Sequence, residues 1–404
     1  MAQKEISADL DYAVVAGLDL NGLGVVRALA SAGVPVVALD TNFSKPTAAT
    51  RYGLKLRVGA VSGDLFIDEL LRLRESFGRS PVLFLTQEAS VDTVSALRER
   101  ISPAYRFTMP PDPVMRDLLD KIHFQRIAER HGFPVPRAVH LRNGGDPGAL
   151  DQLRYPCVLK PAAKNPEYGR RFLKAYKVGS AVDALRLWEE VRTAADRVTV
   201  QEWIEGGDSD VYFCLQYRTA GGPAASFVGR KLCQSPPLVG GTASCIPAPE
   251  YAAELESLTN EFFAASGFSG MGSMEYKRDR RDGRFYMVEP TVGRTDMQEE
   301  IASLNGVNIP EAAYRCELGL SVPPAETVNP PRGWRDPIGS SIARGAGAKV
   351  ARELTTGIRV QDAYFRADDP APFFALKLRG VRNKISRIAR LGRWPRPAVM
   401  AGRQ

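Results

Sequence analysis

The sequence is short of the residues that most enzymes use for covalent or metal chemistry. Histidine occurs three times, at His123, His131 and His140. None has the cysteine or acidic companions at fixed spacing that a zinc site needs. The five cysteines, Cys157, Cys214, Cys233, Cys245 and Cys316, are scattered and odd in number. Without a C-x-x-C pair they argue against a disulfide framework and fit a reducing, cytoplasmic setting. No Ser/His/Asp or Cys/His constellation is legible, so no side-chain nucleophile is expected. No apolar run approaches the roughly 18–20 residues that span a bilayer. The polar, acidic start MAQKEISADLDYAVV lacks a signal-peptide pattern. The early glycines Gly17, Gly22 and Gly24 do not fit G-x-G-x-x-G, which disfavours a nicotinamide dinucleotide site.

Acidic residues are missing after Asp369, where nine cations follow, from Lys377 to Arg403. The net charge of +8 therefore belongs to the tail, and the body is close to neutral. That excludes a nucleic-acid-binding body. At 404 residues and 44% hydrophobic content, the chain has material for two or three domains with cores.

What is present reads first as a parallel sheet. Tyr12–Gly17 is a buried strand, followed by a glycine turn, a helix over Val25–Ala32 and a second buried strand, Val34–Asp40. Such βαβ units bind ligands beyond the carboxyl ends of their strands. Asp40, Leu18–Asn21 and Thr86–Ser90 sit at those ends. Met109–Pro113 marks a boundary. Beyond it, Tyr155–Pro161 is an apolar strand carrying Lys160, whose ammonium needs an anion or a route to solvent. The basic segment Ala162–Phe172 reads as a mobile loop. Arg230-Lys231 lies in a strand, where alternation sends only one of the two to a given face.

The stretch Met274–Arg294 reads as a hairpin closed at Asp282-Gly283. Its arms carry Glu275 and Glu289, which can share one sheet face. Two carboxylates ~4 Å apart repel by roughly 4 kcal/mol at an effective dielectric of 20. A hard cation such as Mg²⁺ would relieve this; an outward-facing solvated pair is the other reading. Asp296–Leu304 and Ile309–Leu318 read as helices.

Taken in order, Lys121 before a helix ending in GFPVP, VLKP, a basic loop, QEWIEGGD, GSMEY and a strand ending in VEP resemble the ATP-grasp superfamily. The similarity is to its carboxylate–amine ligases, the group that includes D-aspartate ligases. It covers about residues 10 to 320. It implies an α/β and α+β chain: a Rossmann-like domain over 1–112, a two-lobed ATP-grasp domain over 113–325 (lobes 113–205 and 206–325), and a basic extension over 326–404. It implies that Lys121 and Lys160 hold ATP phosphates. Glu202 would stand beside adenine, with the backbone of Trp203 and Ile204 reading the base edge. Asp208, or in competition Asp210, would meet the ribose. Glu275 and Glu289 match the Mg²⁺ (or Mn²⁺) carboxylates, with Thr291 where an asparagine ligand is usual. Arg294 would grip a substrate carboxylate, and Arg230 and Lys231 would face an acyl phosphate.

The implied activity is amide formation between a small carboxylate and a small amine. The alternatives are an ATP-grasp kinase or carboxylase, or a non-catalytic ATP-binding regulator. Neither the substrates nor the oligomeric state is written in the residues. Pro323–Asp336 reads as a linker. After it, Phe374, Leu378, Val381, Ile385 and Ile388 form an apolar stripe among cations. That pattern fits a helix on an anionic membrane, or one docked on the protein's own core.

Overall fold

The computed structural model describes residues 6–7, 9–145, 148–162, 166–350 and 352–391; the described side chains end at Val381. Part of the basic loop, 163–165, and the cations beyond the final helix lie outside these residues.

The first sheet is parallel, with β1 (Ala13–Ala16), β2 (Val36–Asp40), β3 (Leu54–Arg57) and β4 (Val82–Leu85) in the order β3-β2-β1-β4. Every residue of β1, AVVA, is buried. Val14 and Ala16 enter one core and Ala13 and Val15 the other, as a strand covered on both faces requires. A Cβ on Gly22 would lie 1.9 Å from the Gly17 carbonyl oxygen, so this turn needs glycine merely to seat its helix. The Asp40 carboxylate accepts from the Leu18 amide at 2.7 Å, the Asn42 amide at 2.8 Å and Lys45 Nζ at 2.9 Å. It serves to staple the strand ends.

The second sheet is antiparallel: β5 (Ala138–Arg142), β6 (Cys157–Pro161), β7 (Tyr176–Val178) and β8 (Arg197–Glu202), ordered β5-β8-β6-β7. Cys157 and Leu159 point into its core, which turns Val158 and Lys160 to the opposite face.

The third sheet has seven strands: β9 (Val211–Thr219), β10 (Gly222–Ser235), β11 (Gly241–Pro247), β12 (Gly270–Arg278), β13 (Phe285–Val292), β14 (Arg332–Arg335) and β15 (Arg359–Asp362). Their order is β13-β12-β9-β10-β11-β14-β15. β14 corrects the linker reading of Pro323–Asp336, and β15 extends the sheet beyond it. Residues beyond 326 continue the sheet of the second lobe. β14 is only four residues long and arginine-flanked, so it has no alternating pattern to read. Its anchor is Trp334, 1% exposed, whose Nε1 donates to Glu300 Oε2 at 3.1 Å.

A buried ion network ties these parts together. Arg27, on the helix after β1, meets Asp369 at 2.9 Å and Glu300 at 3.2 Å, and donates to the carbonyls of Ala363 and Tyr364. The final helix, Ala371–Leu391, follows directly. Among the described residues no helix is long and apolar enough to cross a membrane.

Candidate active site

A cavity of ≈ 390 Å³ opens between the second and third sheets, within the range of small-ligand sites. Both sheets line it, through Lys160, Glu202, Lys231, Glu275 and Glu289 among others. Trp203, Ile204, Lys121, Thr291 and Arg294 also border it.

The hairpin sets the acidic pair. Glu275 lies directly opposite Glu289 in the β12–β13 ladder, and opposed residues of antiparallel strands share a face. The register then slips, pairing Tyr276 with Met287. The extra residue is Val288, and it too borders the cavity. Such a bulge re-aims side chains locally. Each carboxylate faces a lysine. Lys231 Nζ bonds Glu275, and Lys121 Nζ lies 3.4 Å from Glu289 Oε1. Lys121 is presented by a helix start that Asp120 caps, accepting from the Ile122 and His123 amides.

Lys160 is half-buried, and desolvation with the nearby Lys121 charge pushes its ammonium down to about 8. The cavity thus holds a lysine near its titration point. If the cavity takes the phosphates that the resemblance implies for Lys160, their affinity should fall by up to about tenfold per pH unit above about 8, as the ammonium loses its proton. Binding above that pH should take up a proton, because a bound phosphate restores the charge. Titration calorimetry in buffers of different ionisation enthalpy checks both. A Lys160→Met variant should show neither. In the ligand-free fold the sign reverses: burial opposes the charged form, so stability from this group rises as pH climbs from about 8 toward 10.5.

Other expected residues take different places. Arg230 does not border the cavity. Its Nε bonds the Ser209 carbonyl and its guanidinium lies 5.2 Å over the Tyr212 ring. Alternation along β10 turns Lys231 in and Arg230 out, which corrects Arg230 as a reacting-site residue. Neither Asp208 nor Asp210 is among the residues lining the cavity. Asp208 accepts from the Gln234 amide at 2.8 Å and the Leu238 amide at 2.7 Å. It pins the loop 236–241 over the cavity and holds Leu238 at φ 71°. Asp210 pairs with Arg280 at 2.7 Å. Glu202 accepts from the Arg154 amide at 3.0 Å. The Trp203 amide donates to the Pro156 carbonyl, and its own carbonyl accepts from Arg281. The Trp203 ring lies between Lys177 and Lys277, 4.5 and 4.3 Å from its centre.

Asp296 was not legible as a site residue, because its segment reads as helix. The helix spans only Glu300–Leu304, and Asp296, Met297 and Gln298 before it line the cavity. Asp296 accepts from Ser273 at 2.5 Å and Thr291 at 3.0 Å. It lies 3.6 Å from Arg294, whose other side faces Glu88 at 3.9 Å. Glu88 follows β4, so the first domain reaches the site. Asn21 adds a second link, donating to the carbonyls of Thr86 and Thr295 at 2.9 and 2.7 Å.

Among the described residues, no three His, Cys, Asp or Glu side chains gather as a metal cage. Two opposed carboxylates fit a magnesium ion whose remaining ligands are phosphate oxygens and water. The lysines now facing them show that this face demands positive charge.

No family model matches the chain. It is 28% identical over 194 residues to the D-alanine–D-alanine ligase of Halorhodospira halophila, covering 44% of this chain and 58% of that enzyme. It is 24% identical over 299 residues to the D-alanine–D-alanine ligase of Pseudomonas putida, covering 68% and 79%. Among solved structures it superposes on the biotin carboxylase domain of Hydrogenobacter thermophilus 2-oxoglutarate carboxylase, in complex with MgADP. The TM-score is 0.62 at 16% identity, over 78% of this chain and 71% of that one. It likewise superposes on Staphylococcus aureus N5-carboxyaminoimidazole synthetase complexed with ADP. There the TM-score is 0.61 at 14% identity, over 81% and 82%. The chain thus shares the fold of these structures, and its sequence is similar to D-alanine–D-alanine ligases, in line with the resemblance to ATP-grasp carboxylate–amine ligases.

Proposed function

We propose that this protein joins a small carboxylate to a small amine at the expense of ATP, releasing ADP and phosphate. The observation that carries this reading is one cavity holding an opposed carboxylate pair together with Lys121, Lys160 and Lys231. A site with that charge pattern suits a polyphosphate, and a cleft between two sheets can exclude water from it.

In this reading the adenine lies against Trp203 and Ile204. Both Trp203 backbone groups are spent within the protein, so the base edge falls to Ile204. Lys121 and Lys160 neutralise phosphate charge. Magnesium, held by Glu275 and Glu289, would supply charge stabilisation and fix the phosphate geometry. The Thr291 hydroxyl donates to Asp296, which leaves its oxygen lone pairs free for the metal. Arg294 takes the substrate carboxylate in fork geometry. A carboxylate oxygen attacks the γ-phosphorus and the bond to ADP breaks. The amine then attacks the acyl carbon, phosphate leaves, and the amine's proton passes to solvent. Lys231 stands where it can hold the phosphoryl oxygens through both steps. Such chemistry needs position and charge rather than a protein nucleophile.

The relatives named D-alanine–D-alanine ligases make amino acids the first compounds to screen. Phosphate release from Mg-ATP should require a carboxylate and an amine together. Release with a carboxylate alone, unaffected by any amine, would overturn amide formation.

A further inference from the structure

We propose that the helix Ala371–Leu391 docks this protein on an anionic lipid bilayer. Its first turns have two distinct apolar faces. Phe373 and Leu376 rest on the protein's own core, and Phe373 meets Phe365 edge to face at 5.5 Å. The other face is left out of that core. Phe374, Leu378 and Val381 are 58%, 65% and 54% exposed. Their i, i+4, i+7 spacing puts them within roughly 60° of one another around the helix. The sequence continues this spacing through Ile385 and Ile388. The described part of the stripe, Phe374, Leu378 and Val381, is therefore not core-facing.

The extension as a whole has an unusual surface. Of the fourteen large apolar side chains exposed among the described residues, eight lie between Ile338 and Val381. Three of them, Phe374, Leu378 and Val381, form the contiguous apolar face of the helix, and such a patch marks a contact surface.

Charge selects the occupant. Nine cations and no acid follow Asp369. Lys377 and Arg379 are exposed beside the stripe. A second copy of this chain would bring the same nine cations against them. A nucleic acid would satisfy the cations and leave the apolar stripe in water. An anionic bilayer satisfies both, with headgroups for the cations and the acyl boundary for the stripe. At about 30 Å in length, the helix suits lying in the interface plane. Its first turn, fixed to the body, sets the protein's orientation on the surface.

The test is sedimentation of the full chain with vesicles of phosphatidylcholine, alone or with 30% phosphatidylserine. Partition onto the anionic vesicles should exceed that onto the neutral ones at least tenfold, and should weaken with salt. The triple variant F374S/L378S/V381S should lose at least tenfold of this binding. K377E/R379E should lose severalfold. Both variants should keep the wild-type melting temperature and ADP release, since the altered side chains are exposed and none lines the cavity. Failure of the wild type to prefer anionic vesicles would overturn the proposal. So would equal partition of the triple variant, or a dimer that the triple variant dissociates while vesicle binding is absent.

Discussion

Replacing Glu275 by glutamine should lower ADP release by on the order of 10²–10³-fold, the scale seen when a single charge-stabilising group is removed from an active site. The amide keeps the shape of the carboxylate and deletes its charge. Glu289 alone would then face the metal, and Mn²⁺ binding to the ADP-loaded protein should weaken in parallel. The substitution also touches the fold. Lys231 is 3% exposed and has Glu275 as its anion, with Gln234 Oε1 at 3.4 Å as the other neighbour. A fully buried charge that loses its partner costs about 3–5 kcal/mol. Glu275 is 32% exposed, so water screens the pair and a loss nearer 1–2 kcal/mol is expected. Adding Lys231→Met should return that stability without returning turnover. Thermal melts and ADP assays on the two variants separate the effects. Normal turnover by Glu275→Gln would remove this carboxylate from the metal site.

Asp369→Ala should be the most destabilising single change outside the cores, by about 3–5 kcal/mol. Asp369 is completely buried. Its oxygens accept from Arg27 Nε at 2.9 Å, Thr50 Oγ1 at 2.7 Å and the Arg51 amide at 2.9 Å. Alanine leaves a buried guanidinium with Glu300 as its remaining counter-charge and strands two donors. The melting temperature should fall by several degrees. Because Arg27, Glu300 and Asp369 come from three separate parts of the chain, the loss reports on how those parts are clamped. Arg27→Met in the Asp369→Ala background should recover part of the loss. A melt within one degree of wild type for Asp369→Ala would mean the clamp carries no weight.

The two variants probe different kinds of information. Glu275 and Glu289 belong to one hairpin. Its turn, Asp282-Gly283, and its alternating arms were legible, so their opposition followed from local rules. Lys160 was legible because a charge inside an apolar strand has to be explained. The choice between Arg230 and Lys231 was posed by alternation but not decided by it. Which face of β10 meets the cavity depends on β9 and β11. The surroundings of Asp208 are decided in a related way. Its place before β9 suits a ribose, but the amides of Gln234 and Leu238, a loop away, claim its oxygens.

By itself the sequence determined the hairpin, the lysine-bearing strand, the parallel sheet of the first domain and the charge of the tail. Each rests on neighbours in the chain, where periodicity and turn chemistry suffice. Tertiary structure alone decided that β14 and β15 complete the third sheet, that Asp369 locks Arg27, and that Asp296 enters the cavity. Each of these depends on partners tens to hundreds of residues away. A four-residue strand becomes a strand only when β11 offers it an edge, and a buried carboxylate is tolerable only when a guanidinium arrives from elsewhere.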